Sequence, residues 1–348
     1  RETGGIHHSI YTSEMANNKG SVAYLFQRSK VMSNKINSLL SILEDILLIP
    51  NFKDKDRFKQ ILLEEKSSLE AGIIPSGHRV VNNRLKAQYS SSAWLTEQTS
   101  GIEYLFFIRD LINNFDQRWI EIPTIFEEIK RQLFQQKNLL INITLDQSNW
   151  EKVQPEILKF ISHLPSKDVT IQPLHQKSTK LSEGLIIPSQ VNFVGKGGNL
   201  YEHGYREHGS MNVIIQYLRS TWLWDKVRVQ GGAYGGFCNF DRFSGFFGFL
   251  SYRDPNLKET LNNYDLTSQF LQTFDLSESE LTKSIIGAIG EIDAYQLPDA
   301  KGFTSLVRHL LGITDVDRQV FRYQLLATSI DDFRRLSLLL DELNHTSS

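Results

Sequence analysis

Apolar and polar residues alternate over positions 6–12 and again over 21–32, with Asn17-Asn18-Lys19-Gly20 between the two runs. A period of two on either side of a turn-forming gap predicts a β-hairpin. The period then lengthens. Ile36, Leu39, Leu40, Leu43, Ile46 and Leu47 recur at helical spacing over 34–48, and Pro50 stops the run. Phe58, Ile61, Leu62 and Leu69 stripe a second helix over 54–71, which Pro75-Ser76-Gly77 breaks. Further helices are expected over 78–89, 102–113 and 122–135, followed by a β-run over 138–145 (NLLINITL).

The stretch 164–183 carries prolines and lysines without clear periodicity and reads as a linker. Beyond it, 184–188 and 190–194 read as strand, and Gly195-Lys196-Gly197-Gly198 as loop. A helix is expected over 210–224. Gly231-Gly232 then leads into strand-like residues, a polar turn near 241–244 and a second strand over 245–252. Helices over 257–274 and 277–293 follow, the second with Ser277 and Glu280 at the spacing of a capping box. The order Gly-Gly, hairpin, amphipathic helix, turn, helix therefore occurs once from Gly4 and once from Gly231. The expected class is α+β: two duplicated domains, 1–163 and 184–348, each an antiparallel sheet packed against helices, joined by the linker 164–183.

Composition narrows the function. The 348 residues suit two similar domains, and 40% hydrophobic residues suffice for sizeable cores. Lys+Arg 38 against Asp+Glu 40 leaves a formal charge of −2, which argues against a nucleic-acid partner held by bulk electrostatics. The single cysteine, Cys238, excludes an intramolecular disulfide framework and a cysteine-rich zinc module. No apolar run approaches the roughly 18 residues of a membrane span. The chain starts at Arg1, which suggests a cut from something longer.

Most chemical motifs fail on inspection. His203 and His208 lie five apart, about 140° around a helix, so they face apart, and Gly204 and Gly209 disfavour a helix there. Both are read as loop or surface residues, and no metal ligand is assigned in this chain. His7-His8 point to opposite faces of a strand. No phosphate loop, dinucleotide fingerprint or nucleophile elbow matches. Cys238, within Phe-Cys-Asn-Phe, reads as a small core residue. There remains Arg228-Val-Gln-Gly-Gly-Ala-Tyr234-Gly-Gly-Phe, in which four glycines surround one tyrosine. Glycine lets a backbone approach another chain closely, and a guanidinium with a phenol can grip a peptide carbonyl or a developing oxyanion. A core tyrosine beside a surface arginine is the plainer reading, and spacing alone favours it.

A resemblance shifts that balance. Gln190-Val-Asn-Phe-Val-Gly-Lys-Gly-Gly-Asn199, Thr221-Trp-Leu-Trp-Asp-Lys-Val-Arg-Val-Gln-Gly-Gly-Ala-Tyr-Gly-Gly-Phe-Cys238 and Ser251-Tyr-Arg-Asp-Pro-Asn-Leu257 resemble the presequence-protease and falcilysin branch of the pitrilysin/insulinase superfamily of inverted-motif zinc peptidases. Tyr295-Gln-Leu-Pro-Asp-Ala-Lys-Gly302 and Arg308-His-Leu-Leu-Gly312 extend the likeness. Thr3-Gly-Gly-Ile6, Arg57-Phe-Lys-Gln60 and Ser76-Gly-His78 carry it more thinly through the first half.

The resemblance implies the C-terminal, non-zinc half of a zinc metalloendopeptidase that degrades unstructured peptides, such as cleaved targeting peptides, in a closed chamber. It implies that 1–163 and 184–348 are the third and fourth α+β domains of that architecture, trimmed at the outer ends. The zinc cofactor, its ligands and the catalytic glutamate would lie in the other half, leaving this chain inactive alone. The family's arginine–tyrosine pair falls on Arg228 and Tyr234 as catalytic residues, with Gly231, Gly232, Ala233 and Gly235 as substrate-binding backbone. Expected partners are an unstructured peptide and the N-terminal half of the same protease, with no nucleic acid and no membrane. The compartment would be bacterial cytoplasm or, alternatively, mitochondrial matrix or plastid stroma. A non-catalytic binding or scaffold subunit of the same superfamily is the alternative function.

Overall fold

The computed structural model describes residues 3–16, 20–168 and 180–345. Strands β1 (Thr3–Glu14) and β2 (Ser21–Val31) pair antiparallel from Ile6↔Ser29 to Glu14↔Ser21. Part of the expected turn, 17–19, lies outside the described residues. Helices α1 (Ile36–Leu48), α2 (Lys55–Ile73), α3 (Gly77–Lys86), α4 (Ser91–Ser100), α5 (Ile102–Asn113), α6 (Phe115–Arg118), α7 (Ile122–Leu133) and α8 (Gln147–His163) follow. They start where short polar side chains cover open N–H groups: Asp54 accepts from Arg57 N, Ser90 from Ala93 N and Asp146 from Asn149 N. Leu62, Ile108, Leu111, Phe115 and Ile122 bury one stripe of this bundle.

Of the expected linker, 169–179 lie outside the described residues. The remaining elements are β3 (Gly195–Asn199), α9 (Ser210–Ser220), β4 (Gly235–Phe240), β5 (Phe246–Tyr252), α10 (Lys258–Thr273), α11 (Glu278–Ile292), α12 (Pro298–Leu311), α13 (Asp315–Leu326) and α14 (Ile330–Asn344). The strands form an antiparallel sheet in the order β3-β5-β4. Its centre, β5, is the run FFGFLSY, buried on both faces. Such a run marks a strand covered above and below.

The helices supply both covers. Phe249 stacks on Tyr264 of α10 at 5.1 Å, and Phe247, Met211, Val213, Leu218 and Leu340 join the same core. On the other face α3 lies against the sheet. Tyr89, just beyond it, donates from its hydroxyl to Gly197 O (3.3 Å), and Asn82 meets Asn239 at 3.0 Å. Each fully buried phenylalanine contributes about 1.5–3 kcal/mol. The sheet edge that precedes the candidate site is thus clamped between layers.

Three expectations are corrected. The glycines at 195–198 form strand β3, not a loop, because their missing side chains leave room for neighbours from the core. The run 138–145 is not a strand: no partner lies beside it among the described residues, and Asn142 instead donates to Gly302 O of α12 (3.2 Å). Segments 184–188 and 190–194 are not strands either, apart from a single bridge, Asn192↔Asp254. Ion-paired and amide contacts hold the start of that stretch on α3, with Arg84 Nε 2.5 Å from Glu183 and Leu181 N 2.7 Å from Gln88 Oε1.

Candidate functional site

The helix expected over 210–224 stops at Ser220, where Thr221 leaves helical geometry (φ −122°, ψ −88°). Two residues anchor the chain beyond this break. Trp222 donates from Nε1 to Asn263 O (3.0 Å) and stacks on Phe270 at 4.7 Å, while Leu223 is fully buried. The backbone then makes a π-helical turn over Trp224–Gln230, with Val227 as its buried side. Turns of this i→i+5 type are uncommon and recur at functional sites. Gln230 Nε2 donates to Asp225 Oδ2 (2.7 Å), a side-chain bond with the same five-residue reach.

The glycine-rich loop wraps back onto this turn. Gly231 N donates to Lys226 O (3.1 Å), Gly232 N to Arg228 O (3.0 Å) and Ala233 N to Val227 O (3.1 Å). A Cβ on Gly231 would sit 2.7 Å from Val227 O, and Gly232 has φ +78°, a left-handed geometry that favours glycine. Ala233 is buried. Tyr234 N donates to Tyr252 O (3.0 Å), and Gly235 begins β4. Asn256 Nδ2 closes the ring by donating to Gly231 O (2.5 Å).

Arg228 and Tyr234 come together on this frame. The guanidinium carbon lies 5.5 Å from the Tyr234 ring centroid and 4.1 Å from that of Trp224. The Tyr234 side chain is not a core residue: it is 65% exposed, with its ring edge-on to Tyr252 at 5.7 Å. Behind it, Arg253 holds a positive φ (49°), uncommon for a side-chain-bearing residue. Buried Asp254 fixes that corner, accepting from Thr260 Oγ1 (2.8 Å) and Asn256 N (2.9 Å). Chemically, the arrangement offers an exposed phenol and a guanidinium on one rigid loop, both hydrogen-bond donors.

The other sequence candidates lie elsewhere. His203 ends a short 3₁₀ turn, 3.6 Å from Glu342, and His208 Nδ1 is 2.8 Å from Ser210 Oγ. Among the described residues no group of three or more His, Cys, Asp or Glu side chains is arranged to hold a metal ion, so the donor set present does not fit zinc. Cys238 is buried in the sheet, where desolvation pushes its thiol up to about 12. That leaves it a neutral core residue at neutral pH. Trp224, Tyr252, Arg253 and Asn256 surround the arginine–tyrosine pair without having been singled out. Only Trp224, four residues before Arg228, leaves a trace in spacing.

Known proteins match this fold. The chain superposes on the periplasmic protease PqqL from Escherichia coli with a TM-score of 0.57 at 13% identity, covering 97% of this chain and 38% of that one. On pitrilysin the TM-score is 0.51 at 12% identity, covering 99% and 34%. The fold is that of a pitrilysin-type protease region. Residues 182–347 match the model of the PreP C-terminal domain, and residues 1–111 match a peptidase-associated family model. Presequence protease 1, chloroplastic/mitochondrial, of Arabidopsis thaliana is 41% identical over 344 residues, 98% of this chain and 32% of that relative. The mitochondrial presequence protease of Saccharomyces cerevisiae is 27% identical over 325 residues, 88% of this chain and 32% of its own length. The chain belongs to the presequence protease family. It spans about a third of the length of these curated relatives.

Proposed function

We propose that this chain is the non-zinc half of a zinc metalloendopeptidase acting on unstructured peptides, cleaved targeting peptides among them. One observation carries the reading: the Tyr234 ring stands exposed and within 5.5 Å of the Arg228 guanidinium, on a loop whose successive N–H groups are locked onto the preceding turn. Arg228 donates to the scissile carbonyl, and the Tyr234 hydroxyl donates to the oxygen as negative charge develops on it. The rigid loop keeps both donors in place, so little reorganisation is needed during reaction. Gly231, Gly232, Ala233 and Gly235 contribute by shape: they keep the loop close to the turn and leave the approach to the pair uncluttered. Zinc and the general base belong to the N-terminal half, with which this chain closes around the peptide as a paired set of duplicated α+β units.

The compartment we infer is that of the relatives, whose names are mitochondrial or chloroplastic. Among the described residues no helix is long and apolar enough to cross a membrane.

The test is kinetic, on the whole protease. Tyr234→Phe deletes one hydroxyl and should lower kcat/KM about 100–1,000-fold, through kcat with KM nearly unchanged. Arg228→Lys keeps the charge but loses the planar fork and should impair turnover as well. Wild-type turnover in both variants would overturn the reading and favour a non-catalytic scaffold subunit.

A further inference from the structure

The two tryptophans of Thr221-Trp-Leu-Trp-Asp225 have opposite surroundings. Trp222 is a packing residue, bonded to Asn263 O and stacked on Phe270. Trp224 is 47% exposed and lies outside the core cluster. Among the described residues its ring contact is with the Arg228 guanidinium, at 4.1 Å. Arg228, in turn, forms no ion pair among the described residues and is flanked by two rings, Trp224 at 4.1 Å and Tyr234 at 5.5 Å. Resting on the catalytic reading above, we propose that Trp224 is a positioning residue: its indole face holds the Arg228 guanidinium beside Tyr234 and leaves the N–H groups free for substrate.

Other ways of holding the arginine would occupy its donors. A carboxylate partner would fix the guanidinium through the same N–H groups that must reach the peptide carbonyl, and would neutralise its charge. An aromatic face holds the cation through the ring quadrupole and consumes no donor. The π-helical turn makes the stack possible. In an α-helix, residues four apart are offset by about 40°. Widening the turn to i→i+5 bonding brings the fourth residue more nearly over the first. The Gln230–Asp225 bond, 2.7 Å, braces the same turn from the side. A large exposed ring thus has a task that packing does not give it.

The experiment is a mutant cycle on the whole protease, with thermal melts on the same samples. Losing a cation–π contact of 0.5–2 kcal/mol corresponds to about 2–30-fold. Trp224→Ala should therefore lower kcat/KM by about 5–30-fold, mainly in kcat, and Trp224→Phe should recover most of the loss. Trp224→Ala combined with Arg228→Ala should be no slower than Arg228→Ala alone, because the tryptophan acts through the arginine. Additive losses in the double variant, or wild-type turnover in Trp224→Ala while Arg228→Ala is impaired, would overturn the inference and leave the catalytic reading intact. Wild-type turnover in Arg228→Ala would remove the catalytic reading, and the inference with it. A melting temperature lowered as much in Trp224→Phe as in Trp224→Ala, without kinetic rescue, would assign the residue to packing and also overturn the proposal.

Discussion

Two glycine-rich stretches, Gly195-Lys196-Gly197-Gly198 and Gly231-Gly232-Ala233-Tyr234-Gly235-Gly236, look alike in composition and differ in what the glycines do. In the first, glycine makes room for other parts of the molecule. A Cβ on Gly197 would lie 2.6 Å from Phe247 O and 2.8 Å from the Phe246 ring, and one on Gly198 would lie 2.6 Å from Leu343. Gly197 faces Gly248 across the ladder, and the Phe246 ring approaches both. In the second, Gly231 and Gly232 let the chain fold onto its own preceding turn, so the crowding atoms are Val227 O and Lys226 O from a few residues earlier. One stretch closes a core; the other shapes a presenting loop. Glycine content alone says only that backbone comes close to something.

Substituting glycines separates the two roles. Gly197→Ala meets a backbone carbonyl that cannot move without disturbing β5, so it should cost about 3 kcal/mol in urea unfolding of the chain. The folded fraction of the whole protease should keep its turnover. Retained stability would remove the core role assigned to β3. Gly231→Ala should cost less, about 2 kcal/mol, since the loop can lift away from the turn. Here the larger sign is kinetic: lifting the loop separates Arg228 from Tyr234, and kcat should fall about tenfold or more. Equal kinetic effects from Gly197→Ala and Gly231→Ala would erase the distinction.

Gly232→Ala isolates backbone geometry from crowding. Its nearest neighbour would be Pro255 Cγ at 3.6 Å, so the cost should be that of a left-handed residue, about 1–2 kcal/mol. Gly232→Asn should be milder, because asparagine visits that region more readily. If Asn is as damaging as Ala, contact rather than φ governs the position. The smallest effect should have the opposite sign. Gly290 is exposed within α11 and has nothing within 4 Å, so Gly290→Ala should raise stability by about 0.5–1 kcal/mol. A loss there would show that its surroundings are tighter than the structure has them.

The sequence by itself determined the elements whose signal is local. Helical spacing of Ile36, Leu39, Leu40, Leu43 and Leu47 predicts α1, 102–113 coincides with α5, and Ser277 with Glu280 forms the expected capping box, Oγ to carboxylate 2.6 Å. Each depends on residues within a turn or two of one another, so the pattern is complete in the string. It also singled out Arg228 and Tyr234, through the motif around them. Helices α4, α8 and α12–α14 carried no expectation; α8 even holds Pro155 internally, a residue that usually argues against a helix interior. Tertiary structure alone decided the rest. Whether NLLINITL or GKGG is a strand depends on a partner strand far away in sequence, absent beside the first among the described residues and supplied by β5 to the second. Whether Trp222 or Trp224 is the anchor depends on Phe270 and Asn263, more than forty residues on. The exposure of Tyr234 depends on where the sheet ends and the π turn begins. Periodicity records which face of an element is apolar; what lies opposite that face is decided when distant segments meet.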